Sequence, residues 1–300
     1  MIDPSIRAFL RSKYSIRKFF AVFGLLLAVL LVLLVVTAVA PDGWLRDAGL
    51  SFLGNFAATV AIFLVTYLFY VLITPPGLRD AELIPLRDVE ISDEIVDLPA
   101  KASDYWFWGR SGSYFRVAVL YRLAESARAE RRHIHIRVLL PRPDLPGNAA
   151  RYKEIKRSLG EEADDDTLAA NVIATVVSVV SAASRNPYLK ADVALCPTVP
   201  VIRYDMSTTA GLITRDAKDL PAILINAGNP YFEMFRDAVE NELAQSQKVT
   251  WDGAAAAAIP THELVSAEFL RTITGLPTAS QRAIAAAEEL LADPTHRYAR

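Results

Sequence analysis

A short glycine- and serine-rich segment, Gly109–Ser113, lies between a predicted strand and a predicted helix. Glycines let successive backbone N–H groups turn toward one point, and the N-terminus of a following helix favours an anion. Nearby guanidinium groups would add charge-assisted hydrogen bonds to a phosphate, and an indole ring could stack on a base. We therefore predict that a nucleotide or another phosphorylated ligand binds at six residues: Trp108, Arg110, Ser111, Gly112, Ser113 and Arg116.

The same segment also fits a plain strand-to-helix turn in which Ser111 or Ser113 is the N-cap. The chain contains neither the GxGxxG pattern of dinucleotide-binding folds nor the GxxxxGK[ST] pattern of P-loops. Both interpretations of the segment therefore stay open. No sequence feature calls for a cofactor, and we expect none.

Residues 128–157 form the one strongly basic stretch, with nine Lys or Arg against three acidic residues. A phosphate-bearing ligand, nucleic acid or anionic lipid could use such a stretch. The alternative is a solvated face whose charges pair with the acidic residues at 161–166. The whole chain has 32 Lys and Arg against 34 Asp and Glu, which argues against a dedicated nucleic-acid binder.

Metal and catalytic patterns are weak. His133 and His135 share one face of a predicted strand, but no clustered Cys, His or carboxylate completes a metal site. The single cysteine, Cys196, excludes a disulfide scaffold and a zinc site built on several thiolates. Three aspartates near predicted strand ends could gather in space, although we assign them no acid–base role: Asp192, Asp205 and Asp216.

The elements that must position these residues alternate between strand and helix over residues 101–250. Alternating elements followed by clustered strands predict an α/β sandwich with a mixed sheet. We expect strands at 105–108, 133–140 and 222–226, two or three more within 190–215, and helices at 114–131, 151–159, 167–183 and 230–245.

This order resembles one half of a phospholipase D-like domain, over roughly residues 101–245. Four features carry the resemblance: the Gly/Ser turn before a helix, the strand His135–Leu140 with Pro and Asp after it, the strands near Arg203-Tyr204-Asp205, and the closing helix around Tyr231–Arg236. The resemblance implies a phosphate-binding fold. Degenerate members of that superfamily also occur fused to regulatory domains.

Active members of the family carry His-x-Lys followed four residues later by Asp. None of the four histidines here is followed two residues later by Lys. His135 has Arg137 at that place, but Arg142 stands where the Asp should be, and the strand that should hold the motif, 201–206, has no His. The resemblance therefore implies that phosphodiesterase chemistry is absent, and we lean against an enzyme.

Two uncharged apolar runs precede the α/β region, at 19–40 and 51–74. Each is long enough to cross the roughly 30 Å hydrocarbon core of a bilayer. The first exceeds a signal-peptide core of about 7–15 residues, and a second run follows almost at once. We therefore predict a two-helix transmembrane hairpin. The second run has four small residues at helical spacing, Gly54, Ala57, Ala58 and Ala61, which favour helix packing and a homo-oligomer. A pore formed by several copies is an alternative that stays open.

The flanking charges predict the orientation. Residues 1–18 carry five Lys or Arg against Asp3, whereas the hairpin loop has one Arg and two Asp. Positive charge favours the cytoplasmic side, so we expect a multi-pass bacterial inner-membrane protein with both termini in the cytoplasm. Neither run contains an ionisable residue, which argues against a transporter.

These patterns predict five regions: a basic flank (1–18), the hairpin (19–74), an acidic linker with one short strand at 89–96 (75–100), the α/β domain (101–250), and a helical tail that packs back or pairs with a partner (251–300). We expect a membrane-anchored regulatory or effector protein that senses a phosphorylated ligand or partner. Its hairpins would assemble in or perturb the lipid bilayer, as the similar layout of bacterial antiviral defence effectors suggests. The alternatives are a membrane-bound phosphodiesterase-like enzyme of unrecognised chemistry and a protein-binding membrane scaffold.

Overall fold

The computed structural model describes residues 13–39, 41, 43–73, 83–86, 88–215, 220–260, 263 and 265–292. The chain divides into two compact units, Met1–Glu82 and Leu83–Arg300. The first unit is a pair of apolar helices, and the second is built on one mixed sheet.

Unit one is an antiparallel hairpin of α1 (Lys13–Ala38) and α2 (Trp44–Ile73). Leu30, Ala57 and Val60 form its buried seam. Most other side chains of the hairpin are apolar and exposed, as Leu25 is at 67%. A helix that is apolar all round must be covered by protein or lipid, so both helices are candidate membrane spans. The predicted pair of N-terminal apolar helices is confirmed.

The second helix begins earlier than the uncharged run at Ser51. The backbone N–H groups of Arg46 and Asp47 both bond to the Gly43 carbonyl, and the helix therefore includes this charged turn. A third helix, in unit two, is also long and apolar enough to span a membrane. However, 67% of its apolar window is buried inside the unit, so it is a core helix.

The described residues of unit two form nine strands in the order β1-β7-β6-β5-β2-β3-β4-β8-β9. They are β1 (Ile84–Leu86), β2 (Asp104–Trp108), β3 (Ile134–Pro141), β4 (Leu189–Cys196), β5 (Arg203–Ser207), β6 (Ala210–Thr214), β7 (Ala222–Asn226), β8 (Gln247–Trp251) and β9 (Ile273–Thr274). The neighbours β2, β3 and β4 run parallel, and the other pairs are antiparallel. The predicted α/β fold with a mixed sheet is confirmed.

Helices cover both faces of the sheet. They are α3 (Asp88–Asp97), α4 (Leu120–Ala129), α5 (Pro146–Ser158), α6 (Thr167–Arg185), α7 (Pro230–Gln245), α8 (Gly253–Ala258), α9 (Ala267–Arg271) and α10 (Gln281–Ala292). The larger core packs α4, α6, α8 and α10 on one face, and α7 packs on the other. The side chains of β3 alternate between the two faces of the sheet. Ile136 and Val138 pack in the larger core, and Leu139 packs on the α7 side.

The predicted strand at 89–96 is wrong, because these residues belong to helix α3, which a 3-10 turn at Leu98–Lys101 extends. Its apolar residues Ile91, Ile95 and Leu98 recur at spacings of four and three, which is a helical period. Ile95 and Leu98 are buried in the main core, while the exposed positions are polar: Glu90, Ser92, Asp93 and Asp97. In a strand, Ile91 and Ile95 would share one face and Leu98 would lie on the other.

Residues after 250 are part of the same folded unit. Strand β8 extends the sheet beside β4, and α10 buries Ala283 and Ala287 in the main core. Ser280 and Arg282 donate to the carboxylates of Asp166 and Asp164 near the start of α6. The tail therefore packs back on the α/β unit, which is one of the two arrangements predicted for it.

Candidate anion-binding cleft

The sheet brings several chain segments to one edge beside β2. Because β5 is antiparallel to β2 and β6 is antiparallel to β5, the carboxyl ends of β2 and β6 lie at the same edge as the start of β5. The chain passes from β2 to β3 and β4 on one side, and then returns to place β5 on the other. In open α/β sheets, ligands commonly bind where the strand order reverses in this way.

A cleft of about 280 Å³ opens at this edge. Its polar lining comes from Arg110 after β2, Arg215 after β6 and a face of α5. Among the residues that the structure describes, the lining is Arg110, Arg151, Glu154, Ile155, Ser158, Leu159, Val201, Arg215 and Leu220. The described lining residues carry three guanidinium groups against one carboxylate, and this positive charge favours an anion.

Helix α5 supplies one wall because of its residue spacing. Arg151, Ile155 and Leu159 recur every four residues, and Glu154 and Ser158 fall beside them on the same face. The helix starts with Pro146 in its first turn, where a missing N–H costs nothing. Glu154 accepts a hydrogen bond from Arg151 Nη1 at 2.5 Å, which orients that guanidinium along the wall.

Within the Gly/Ser segment, one residue lines the cleft and others contact helix α6. Arg110 lines the cleft although only 9% of it is exposed. Ser113 Oγ instead donates to Asn171 Oδ1 at 2.6 Å, and the Ser111 carbonyl accepts from Thr175 Oγ1 at 2.9 Å, so both contact α6. Binding of a ligand by Ser111 and Ser113 stays a prediction, and their recorded contacts hold the loop.

Gly112 is required at this turn for two reasons. Its φ is +71°, a conformation that side chains disfavour. A Cβ at this position would also lie 2.6 Å from Thr175 Cγ2, too close for any real contact. Arg116 follows on the same side and donates from Nη1 to Thr175 Oγ1 at 3.3 Å. Thr175 therefore connects the loop and the next helix to α6.

A π-helical turn, Phe115–Val119, follows the loop and precedes α4. The Leu120 N–H bonds to the Phe115 carbonyl across this turn, and just before the turn the Arg116 N–H bonds to the Gly112 carbonyl at 2.8 Å. Phe115 stacks on Phe107 of β2 with ring centroids 4.4 Å apart. Such single-turn distortions are frequent at functional sites, and this one begins directly beside the loop that carries Arg110.

Trp108, the last residue of β2, faces the α7 side of the sheet. Its ring stacks on Tyr204 with centroids 5.3 Å apart and planes 13° apart. Tyr204 in turn contacts the ring of Phe235 on α7 at 5.9 Å. The indole therefore already stacks within the protein, and its predicted contact with a base is untested.

A buried polar cluster joins strand β5 to strand β2. Asp205 is fully buried and accepts from Arg203 Nη2 at 2.8 Å, with Arg203 Nε 2.5 Å from its other oxygen. The Tyr105 hydroxyl donates to Asp205 at 3.0 Å. Burial, with the nearby carboxylate, raises the pKa of Tyr105 well above its usual range, so its phenol keeps the donated proton. The Arg203 guanidinium lies over the Phe107 ring at 5.3 Å.

The basic stretch at 128–157 is mostly paired within the protein. Arg137 bonds to Asp104 and Glu240, and Arg142 pairs with Asp144. Lys153 and Lys156 pair with Asp165 and Glu161, as the solvated-face alternative predicts. Of this stretch, Arg151 also lines the cleft.

His135 of β3 and His133, which precedes the strand, contact different residues of the protein. His135 Nε2 lies 2.7 Å from Asp192 Oδ2, and His133 packs against the Tyr188 ring. No group of three metal-ligating side chains occurs among the residues that the structure describes. Asp192 and Asp205 lie on opposite faces of the sheet and so do not gather, and Asp216 lies outside the described residues.

Sequence reasoning found Arg110 but missed Arg151 and Arg215 as its neighbours. Arg215 directly follows a predicted strand, which was the one local signal that it could reach a strand-end site. Arg151 stood within the basic run and carried no separate signal. Their convergence depends on the strand order, which the sequence pattern does not specify. No protein-family model and no curated protein matches this chain.

Proposed function

We propose that the protein is a membrane-anchored receptor whose α/β unit binds a small phosphorylated ligand in the carboxyl-edge cleft. The observation that carries this proposal is the convergence of Arg110, Arg151 and Arg215 on one cavity whose described lining includes one carboxylate, that of Glu154. Guanidinium groups bind phosphate oxygens through paired, charge-assisted hydrogen bonds. A cation-lined cleft with polar and apolar walls therefore suits a phosphate ester.

The size of the cleft limits the ligand. At about 280 Å³ it lies near the lower end of the roughly 300–1,000 Å³ typical of small-molecule sites. Ile155, Leu159 and Leu220 provide an apolar wall beside the arginines. The combination favours a phosphate attached to a compact organic group, such as a nucleoside monophosphate, over an extended polymer.

A receptor is favoured over a phosphodiesterase by the residues on β5. If the resemblance to phospholipase D-like domains is correct, this strand corresponds to the one that carries the catalytic His and Lys. Arg203 and Asp205 stand there instead, and each neutralises the other in the core. Neither can act as a free nucleophile, so the resemblance supports a binding fold without hydrolysis.

The hairpin completes the proposal. We assign it to the bacterial inner membrane with both termini in the cytoplasm, on the basis of the basic N-terminal flank and the acidic loop. Ligand binding would then favour one assembly state of the hairpins over another, as population shift requires a difference in affinity between the two states. The layout is that of an effector, and antiviral defence is the role that we propose for it.

Binding to the full chain in lipid nanodiscs tests this function. Inorganic phosphate, nucleoside monophosphates and cyclic nucleotides would be titrated by calorimetry into the wild type, Arg215→Gln and the control Arg122→Gln. Arg122 is an exposed arginine of α4 that lies 3.8 Å from Glu125 and is not among the described lining residues of the cleft. We expect Arg215→Gln to weaken binding by about 10- to 150-fold, since a hydrogen bond to a charged group contributes about 1.5–3 kcal/mol.

The same experiment separates the alternatives. Equal affinity in both variants, or no binding by any phosphorylated compound, would reject the cleft as a receptor site. Turnover of a phosphodiester would support the enzyme alternative. A stably copurifying protein without any small-molecule response would support the scaffold.

A further inference from the structure

One face of helix α2 carries a row of small and polar side chains on the side opposite its seam with α1. The seam uses Leu53, Ala57, Val60 and Leu64. Over residues 51–66 the opposite face carries Ser51, Asn55, Ala58, Thr59, Ile62 and Thr66, and all six are exposed. We call these six residues the outer α2 stripe. Phe69 and Ile73 continue the same face as exposed apolar residues.

The spacing of the stripe places its members in one line. Ser51, Asn55 and Thr59 are separated by four residues each, and Thr66 follows seven residues after Thr59. At 100° per residue, these four positions fall within an arc of about 80°. The stripe centre is about 170° from the seam centre by the same arithmetic, so it cannot contact α1 of its own chain.

Exposing the outer α2 stripe to lipid would cost free energy because of the side-chain amide of Asn55. Asn55 is the only Asn or Gln in residues 13–73. It lies eight residues beyond Asp47, which is about 12 Å along the helix and inside an apolar span. Its backbone carbonyl accepts from Thr59 Oγ1 at 2.8 Å, but no hydrogen bond to its side-chain amide occurs within the described residues. An unmet amide in hydrocarbon costs several kcal/mol.

Helix α1 offers a clear contrast. Its exposed side chains between Val22 and Val36 are all apolar, as expected for a surface that contacts lipid. The hairpin is therefore asymmetric, because α2 presents the outer α2 stripe among exposed apolar side chains such as Phe52 and Phe63, whereas α1 has no comparable stripe in this range. The small residues predicted to support helix packing lie on different faces of α2. Ala57 is buried against α1, whereas Ala58 lies in the outer α2 stripe.

We propose that the outer α2 stripe binds the same stripe of a second copy of this chain. An amide carries both a donor and an acceptor, so Asn55 can pair with itself. Copies that insert in the same orientation place Asn55 at the same depth, which makes this partner available without any further sequence match. Ala58 and Ser51 let the two backbones approach closely enough for the amides to meet. The proposal rests on the membrane anchoring proposed above, but not on the ligand.

Two experiments on the full chain in membranes test this interface. In a Cys196→Ser background, which removes the chain's only thiol, single cysteines would be introduced and oxidised in bilayers. Ser51→Cys and Ala58→Cys should form disulfide-linked dimers, whereas the matched α1 variants Leu25→Cys and Val32→Cys should not. Separately, Asn55→Leu should weaken self-association by roughly 5- to 30-fold, with Asn55→Gln retaining most of it and Val32→Leu unchanged.

Each outcome decides the matter. Crosslinks on the stripe together with the loss in Asn55→Leu support the interface. Crosslinks confined to α1, equal crosslinking at all positions, or a wild-type chain that stays monomeric would overturn it. Carbonate extraction of the wild type gives the separate control: a chain released from the membrane would contradict the anchoring itself, whereas a retained but monomeric chain contradicts only the stripe.

Discussion

Replacing Gly112 with alanine should destabilise the α/β unit through a steric contact that the structure places at one residue. Gly112 and Gly160 have the same φ of +71°. A Cβ at Gly112 would lie 2.6 Å from Thr175 Cγ2, whereas a Cβ at Gly160 would meet nothing within 4 Å. The two sites therefore share the backbone cost and differ in the contact.

The expected magnitudes follow from these two contributions. Placing alanine in the left-handed region costs about 1–2 kcal/mol, so Gly160→Ala should lower the free energy of unfolding by about that amount. Overpacking a tight site adds about 1–3 kcal/mol, so Gly112→Ala should lower it by about 2–5 kcal/mol. The shifted loop should also weaken ligand binding, because Arg110 lies two residues before Gly112.

Denaturant unfolding of the full chain in detergent, followed by tryptophan fluorescence, measures both variants. Trp106 and Trp108 on β2 provide signals close to the loop. Equal destabilisation by Gly112→Ala and Gly160→Ala would refute the close approach of α6 to the loop. A larger loss in Gly160→Ala would refute the reasoning altogether.

Three further outcomes can be measured in the same way. Asp205→Ala should cost about 3–5 kcal/mol because it removes the buried carboxylate that accepts from both Arg203 and Tyr105, and Tyr105→Phe should cost about 1–3 kcal/mol; near-neutral results in chemical denaturation would contradict the buried cluster. Burial raises the pKa of the Cys196 thiol from 9.0 to about 11, so the unfolded chain ionises first and stability should fall between pH 9 and 11, by up to about 1.4 kcal/mol per pH unit. Cys196→Ala should lose that part of the slope, and identical pH profiles would count against the buried thiol. Truncation after residue 278 removes α10 and should cost at least about 3 kcal/mol or prevent folding, since its apolar side chains pack on α6; an undiminished denaturation midpoint would contradict that packing.

Much of the fold was predictable because its elements carry strong local patterns. The two uncharged runs predicted the hairpin helices, and alternation predicted β3 almost to the residue. Helix α7 has the predicted bounds because Asn229 caps it and Pro230 starts it. Helix α3 was not predicted, because the seven acidic residues over 75–100 indicated an acidic linker and its apolar residues were assigned to a short strand.

The cleft was only partly predictable for a different reason. Arg110 was found because a Gly/Ser turn is a local signal. Ser113 and Arg116 bond to Asn171 and Thr175 of α6, which lie about 60 residues later in the sequence but next to the loop in space. Arg151 and Arg215 join Arg110 through the order of the strands. Such long-range relations are set by the packing of the whole sheet and leave no mark on a single segment.

The most direct test of the central proposal is arginine footprinting of the full chain with and without a phosphorylated nucleoside. Phenylglyoxal modifies accessible guanidinium groups, and mass spectrometry reports the extent at each arginine. The cleft predicts that ligand protects Arg151 and Arg215 while Arg122 reacts at an unchanged rate. Protection spread evenly over exposed arginines, or none at Arg151 and Arg215 under saturating ligand, would contradict the assignment of this cleft as the ligand site.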